Sequence, residues 1–278
     1  MHEFRSFMEE AGTAVAYNHA RLPRTVMLRC SVESQDGIPN VNNLLRQMFE
    51  TRIVYSGAGA EREFRAGINQ WQVALLTRMC RERNVRAAVE IGLAYGTSAL
   101  AILDGMGNQG RHVAIDPHQS TDWENIGLLN AQRAGYGDQL EVIELPDDRA
   151  LPLVLERGDR FDLAFVDGWH TFDSTFIEAY YLDQPLNVGG LMVFHDYAMP
   201  GVNRAIAALM AHRPYRVVPE YETVRPWKNR LFAFGKRARN GQLRPASFSL
   251  APAARASMAV IEKRPGARSD VPSFYRRF

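Results

Sequence analysis

Residues 89–103 read VEIGLAYGTSALAIL. An apolar run ends near Glu90, a turn bearing Gly92 and Gly96 follows, and a helix begins near Thr97–Ser98. Glycine lets a chain turn tightly and lets a ligand approach the backbone. The helix N-terminus offers free N–H groups to an anionic group. The spacing is G-x-x-x-G, not the G-x-G-x-x-G that cradles a dinucleotide pyrophosphate. The turn therefore suits a carboxylate-bearing ligand better than a diphosphate, although an ordinary strand-to-helix turn carries glycine too.

Working outward, the same alternation repeats. RAAVEIG reads as a strand and TSALAILDGM as a helix; RHVAID as a strand and ENIGLLNAQRAG as a helical region. QLEVIEL is followed by RALPLVLERG, FDLAFVDG by STFIEAYYLDQPL, and GGLMVFHDY by GVNRAIAALMAHR. Five strand-to-helix units in series imply a parallel sheet covered on both faces. Before them, GINQWQVALLTRMCRERN reads as a helix with one broad buried side, NLLRQMFETRIV as another, and residues 1–20 as a third. Between these, QDGIPN and YSGAGA are turn signals. After residue 213 the alternation stops. YRVVPEY, RLFAFGK and ASMAVIEKR are β-like with no long helix between them, and two of them are expected to close the sheet as an antiparallel pair. Whether RLFAFGK or SMAVIEK is the last strand stays open from sequence.

Length and composition bound the class. The chain has 278 residues, 46% apolar and 23% charged, which fits one large catalytic-sized domain with appended segments. Two cysteines, Cys30 and Cys80, cannot build a disulfide framework or a four-thiolate metal site, and they fit a reducing cytoplasm. No apolar run reaches the roughly 18 residues of a membrane span, and MHEFRSFMEE is unlike a secretory signal, so no membrane partner is expected. The expected organisation is an N-terminal helical cap at 1–62, a core at 63–235 and an Arg-rich region at 236–278, with 258–263 the alternative last strand.

The net charge of +2 conceals a split. Residues 225–278 hold 13 Lys and Arg against Glu262 and Asp270, a net of +11; residues 1–224 hold 20 against 29 acids, a net of −9. Such a tail can seek phosphate or nucleic acid, or can be a solvated extension on an acidic body. No zinc-finger or aromatic RNA-binding signature accompanies it, and RPWKNR at 225–230 is a weak match, so nucleic acid is not the expected partner.

Three acids stand at carboxyl ends of expected strands: Asp116, Asp167 and Asp196. In an open α/β sheet ligands bind along that edge. Asp116 follows Gly96 by 20 residues and can accept both hydroxyls of a ribose, or serve as a turn aspartate before Pro117. Asp167 and Asp196 could share one hard cation through oxygen. His170, three residues after Asp167, is a candidate general base, or a rim or capping histidine. His195 is expected to face away from Asp196 by strand alternation, in a structural or supporting role. Tyr95 could lie over a ligand, and Trp71 and Trp123 could wall a pocket. Trp169, Phe172, Tyr180 and Tyr181 could do the same, but at helical spacing they read more readily as core.

Over residues 67–220 the sequence resembles the class I S-adenosylmethionine-dependent methyltransferases, and most closely the small-molecule O-methyltransferase branch of the catechol and macrocin kind. EIGLAYGTSA resembles the first cofactor motif and AIDPH the ribose acid. The most specific part is FVDGWHTFDSTFIEAYYLDQPLNVGGLMVFHDYAMPGV. The resemblance implies a Rossmann-like, doubly wound, mostly parallel seven-stranded sheet with an antiparallel final strand and an N-terminal helical cap. It implies S-adenosylmethionine as cofactor, held by Glu90, Gly92, Tyr95, Gly96, Ser98, Asp116 and Asp167, with Asp147 or Asp148 beside the adenine. It also implies Mg2+ on Asp167 and Asp196, and a small hydroxyl-bearing substrate deprotonated by His170 with Asp167. A homodimer formed through the cap would fit as well. Two positions depart from the catechol pattern: His170 stands where a lysine is usual, and Tyr197 where an acid or amide completes the metal shell, so that His195 or water would complete it here. Methylation of a macromolecule docked by the basic tail and a non-catalytic cofactor-binding protein are the other readings. A NAD-dependent oxidoreductase is disfavoured by the glycine spacing.

Overall fold

Strands buried on both faces need continuous apolar runs, and these runs assemble as the alternation predicts. The computed structural model describes residues 43–221 and 258–266. The helix expected over 1–20, RLFAFGK, RPWKNR and Cys30 lie outside these residues. In chain order, α1 (Asn43–Thr51) leads to a hairpin of β1 (Ile53–Tyr55) and β2 (Glu61–Glu63), then α2 (Gln70–Glu82) and β3 (Ala87–Ile91). There follow α3 (Thr97–Met106), β4 (Arg111–Ile115), α4 (Ile126–Arg133), β5 (Leu140–Ile143) and α5 (Asp147–Glu156). The series ends with β6 (Phe161–Val166), α6 (Phe172–Leu182), β7 (Leu186–His195), α7 (Pro200–His212), β8 (Tyr215–Val217) and β9 (Met258–Lys263).

Among the described residues, seven strands form one sheet in the order β5-β4-β3-β6-β7-β9-β8. β9 runs antiparallel to both of its neighbours, and the pairs among β3 to β7 are parallel. Of the two candidates for the last strand, 258–263 is a strand of this sheet, and RLFAFGK lies outside the described residues. Chain order reverses direction across the sheet at β3 and β6, the kind of switch point where α/β sheets bind ligands.

Alternate residues of each strand feed two apolar clusters. Ala88, Ala114, Leu163 and Val193 face one side, with Leu76 and Cys80 of α2 and Leu100 and Leu103 of α3. Val89, Val113, Ala164 and Phe194 face the other, with Val154 of α5, Leu182 of α6 and Ile206 of α7. Leu45, Met48 and Val54, from the segment expected to be a cap, join the first cluster, as does Phe64 just beyond it. Here the sequence reading differs in one respect. RIV was expected to extend a helix, but Arg52 adopts φ 58°, which ends α1, and Ile53–Tyr55 becomes a strand paired with Glu61–Glu63.

A charged brace fixes β9. Glu262, 4% exposed, accepts hydrogen bonds from Arg216 (2.7 Å), Arg83 (3.0 Å) and Arg264 (3.2 Å). The Arg216 hydrogen bond leads in holding its carboxyl down at about 2; burial opposes, and Arg83 and Arg264 add to the lowering. The second cluster of charge is Asp183, which accepts from Arg213 and Tyr215 and ties α6 to β8.

Candidate active site

The site is built where the carboxyl ends of β3, β4, β6 and β7 meet. The Gly92 N–H donates to Ile115 O at 2.9 Å and the Asp167 N–H to Ile91 O at 3.0 Å, so the ladder continues into the turns. Gly92 has φ 89°, and a Cβ there would lie 2.5 Å from the backbone oxygen of Asp167. The turn that follows β3 therefore presses directly on the loop that follows β6. Only a residue without a side chain permits this approach.

The turn itself is braced by Asp116. This carboxylate is 4% exposed. Its Oδ2 accepts from the N–H groups of Leu93 (3.1 Å) and Ala94 (2.9 Å) and from Gln119 Nε2 (3.2 Å); its Oδ1 accepts from the His118 N–H at 2.9 Å. The turn-aspartate role is thus present. Oδ1, with one donor, is the oxygen with a lone pair left for a further hydroxyl. Gly96, at φ 80°, leads into α3, whose first turn carries buried Thr97 and Ser98.

Two residues of the expected cofactor set, Glu90 and Tyr95, are buried. Glu90 is fully buried in the sheet face covered by α2 and α3, and its Oε1 lies 3.2 Å from Nε2 of His112, equally buried, on the adjacent strand β4. Tyr95 is 4% exposed and packs edge-on against Phe64 (6.1 Å) and Trp123 (5.1 Å). Of the acids after β5, Asp147 is half-buried and Asp148 exposed. Burial first, then the charges of Asp116 and Asp148, raise the Asp147 carboxyl above its usual range, against a hydrogen bond with Glu178. Glu178, 1% exposed on α6, was not singled out from sequence. Burial pushes it up to about 8, a hydrogen bond from Ser174 opposes this, and the Asp147 charge adds to it. The two side chains form an acid pair in which Glu178 keeps the proton.

The aromatic residues expected in the core sit outside it. Trp169 is 65% exposed, Phe172 46% and Tyr180 43%, while Tyr181 packs partly buried against the second apolar cluster. Trp169 meets His118 edge-on at 5.9 Å, so loops after β4 and β6 touch at the rim. Trp71, on the first turn of α2, is also exposed.

The chemical centre lies at the ends of β6 and β7. Nε2 of His170 is 2.9 Å from Asp167 Oδ1, and Nδ1 of His195 is 2.9 Å from the same oxygen. Asp196 Oδ2 stands 3.8 Å from the first nitrogen and 3.6 Å from the second. Each imidazole therefore reaches both carboxylates. Strand alternation predicts His195 and Asp196 on opposite sides, but β7 ends at His195 and Asp196 adopts φ 49°. That left-handed turn brings both side chains to the same centre. His170, at φ 59°, is likewise turned back onto Asp167. Asp and His tolerate this region better than most residues. Burial raises the Asp167 carboxyl, but hydrogen bonds from His170 and His195 outweigh it and hold the group below its usual range. The carboxylate is thus anionic at neutral pH and able to orient an imidazole.

Tyr197 packs against the second apolar cluster. The donors gathered here are thus two imidazole nitrogens and two carboxylates. Mg2+ selects near-octahedral oxygen ligands, so this is not the set it prefers. The glycine turn, by contrast, fits the S-adenosylmethionine that the resemblance implies: Asp116 Oδ1 keeps a lone pair for a hydroxyl beside the turn, and α3 starts from Gly96.

Comparison with known proteins agrees with this geometry. A family model described as a methyltransferase domain matches residues 89–197. Catechol O-methyltransferase of Mycobacterium tuberculosis is 27% identical over 160 residues, covering 54% of this chain and 71% of that protein. Tapetum-specific methyltransferase 1 of Arabidopsis thaliana is 27% identical over 159 residues, covering 57% of this chain and 65% of that protein. The crystal structure of the O-methyltransferase from Bacillus cereus in complex with SAH shares the fold, with a TM-score of 0.55 at 17% identity over 65% of this chain and 84% of that one. The match at residues 89–197 contains both the glycine turn and the whole Asp167–Asp196 centre, and over that span the chain is similar to a methyltransferase domain.

Proposed function

We propose that the protein transfers the methyl group of S-adenosylmethionine to a hydroxyl oxygen of a small molecule. One observation carries this reading: the glycine turn at Gly92 and the His170–Asp167 pair share one rim, in contact through the Asp167 backbone. The bound S-adenosylmethionine would supply an electrophilic methyl on its sulfonium. The chain's part is to hold donor and acceptor in line, take one proton and keep water out.

The proton acceptor is His170. With its Nε2–H donating to Asp167, its lone pair lies on Nδ1, free to take the hydroxyl proton as oxygen attacks. Asp167 orients the ring and stabilises the imidazolium that forms. On the donor side, Asp116 Oδ1 would receive a ribose hydroxyl and Asp147 would face the adenine amine. Ser98 and the first N–H groups of α3 would meet the carboxylate end. Trp169 and Phe172, exposed beside the centre, would form an apolar wall for the acceptor. The names of the M. tuberculosis and A. thaliana relatives support methyl transfer, the former to oxygen.

The test is initial rates with a panel of phenols, catechols and sugar alcohols, for the wild type and for His170→Ala, in buffer containing EDTA. Production of S-adenosylhomocysteine with at least one acceptor is expected, falling about 100-fold or more in the variant. Equal rates in both proteins would displace the base from His170.

A further inference from the structure

We propose that Asp167, His170 and His195 form a binding site for a borderline first-row divalent ion, of the Zn2+ and Co2+ kind, in preference to Mg2+. The proposal uses the same rim as the methyl-transfer reading and deepens it, but its test does not depend on catalysis.

The geometry comes first. Asp167 Oδ1, His170 Nε2 and His195 Nδ1 all lie within 4.8 Å of one another, and among the described residues this is the group of His, Cys, Asp and Glu side chains so arranged. Both nitrogens are 2.9 Å from the shared oxygen. Two ligands at right angles on an ion about 2.1 Å away stand about 3.0 Å apart, the metal–nitrogen distance typical of Zn2+ setting the scale. The observed separations match neighbouring corners of an octahedral shell, and an ion would take the place of the two hydrogen bonds to Asp167 Oδ1. Asp196 Oδ2, at 3.6 and 3.8 Å from the two nitrogens, is placed to become a fourth ligand after a modest rotation.

The chemistry of the donors sets the class of ion. Imidazole suits Zn2+, Co2+, Ni2+ and Fe2+, and two imidazoles with one carboxylate on one face leave positions open for a further ligand. Mg2+ is held by oxygen and sheds its water reluctantly. The residues that create the difference are His170 and His195. The side chains are 15% to 25% exposed, so an ion and its water can enter.

Binding by His170 Nε2 has a consequence. That nitrogen cannot ligate an ion and donate to Asp167 at once, so the ion-bound ring carries its proton on Nδ1. Ion-bound and proton-accepting His170 are therefore alternative tautomers of one residue.

The experiment is calorimetric titration of the full-length chain, stripped with a chelator, with ZnCl2, CoCl2 and MgCl2, together with the visible absorption of the Co2+ form. One Zn2+ or Co2+ per chain is expected at micromolar affinity, with ligand-field bands for Co2+ and at least about 100-fold weaker binding of Mg2+. His195→Ala and His195→Gln should each weaken Co2+ about tenfold or more and alter its spectrum. S-adenosylhomocysteine affinity, measured on the same samples, shows that each variant is folded and reports on the cofactor site separately. Mg2+ binding as tight as Zn2+, no uptake of Zn2+ or Co2+, or a Co2+ spectrum unchanged in both variants would each overturn the proposal. Loss of S-adenosylhomocysteine binding in the wild type would instead strike the methyl-transfer reading.

Discussion

Gly92→Ala is the sharpest probe of how the cofactor turn and the catalytic loop are joined. Two costs add at this position. An L-residue held at φ 89° sits in the left-handed half of conformational space, at about 1–2 kcal/mol. The new Cβ would also lie 2.5 Å from Asp167 O and 3.1 Å from its carbonyl carbon, both backbone atoms that cannot rotate away. Relieving this overlap is an overpacking problem, worth about 1–3 kcal/mol. The sum, about 2–5 kcal/mol, leaves a domain of ordinary stability folded. It corresponds to a fall in Tm of roughly 4–20 °C for a chain of this size. Gly158→Ala is the control. Its φ of 70° imposes the same backbone strain, but nothing lies within 4 Å of its Cβ, so it should lose about 1–2 kcal/mol, the strain alone. Thermal melts by circular dichroism give the stabilities, and calorimetry gives S-adenosylhomocysteine affinity. Gly92→Ala should weaken that ligand about tenfold or more, equivalent to about 1.4 kcal/mol, while Gly158→Ala leaves it unchanged. If the two variants lose equal stability and both bind the ligand normally, the turn and the Asp167 loop are not in contact and the shared rim is wrong.

Glu178→Gln tests the buried acid pair. Glu178 ionises near 8 in the fold and near 4.5 when unfolded, so its neutral form contributes fully below about 4.5, and that contribution is lost as pH rises through 8. The amide cannot ionise, so the variant should gain Tm relative to wild type as pH climbs from 5 to 9; a constant gap would contradict the assignment. Glu262→Gln removes the charge shared by three arginines and turns one of its two accepting oxygens into a donor, and should cost about 1–3 kcal/mol in urea unfolding at pH 7. Because the folded carboxyl is depressed to about 2, that penalty should shrink as pH falls from 4.5 toward 2, where the wild type loses the same charge. Saturating Zn2+ should slow methyl transfer, because it takes the lone pair of His170 Nε2 and leaves no base on Nδ1; activation by Zn2+ would show that His170 is not the proton acceptor. Cys80, fully buried with its thiol pushed up to about 12 by burial, should resist alkylation in the native protein and react on unfolding, as read by peptide mass mapping.

The sheet was legible because strands buried on both faces leave unbroken apolar runs between helical segments, as AAVEI, FDLAFV and LMVFH do. Asp116, Asp167 and Asp196 were placed at one rim by the same logic, since parallel strands deliver their carboxyl ends to one edge. What alternation could not supply was backbone handedness. His170 and Asp196 both turn left-handed, and those two dihedrals bring His195 into the centre that a period of two excludes it from. Arg52 breaks a helix in the same manner. Partnerships between distant buried polar groups were equally silent. Glu90 meets His112 only because β3 and β4 pair in register, and Asp147 meets Glu178 across 31 positions through the packing of α5 beside α6. A buried glutamate among apolar residues in AAVEIG was the one visible signal for the first of these.

The atom that receives the methyl group decides between an oxygen and a nitrogen acceptor. The measurement is proton–carbon NMR of the product formed from S-adenosylmethionine carrying a carbon-13 methyl, with an amine-bearing counterpart of the acceptor found in the hydroxyl panel, so that oxygen and nitrogen compete. The geometry predicts a methyl ether, one S-adenosylhomocysteine released per ether, and loss of the signal in His170→Ala and Asp167→Asn. A methyl on nitrogen, or an undiminished ether signal in both variants, would contradict an oxygen acceptor deprotonated at the His170–Asp167 pair.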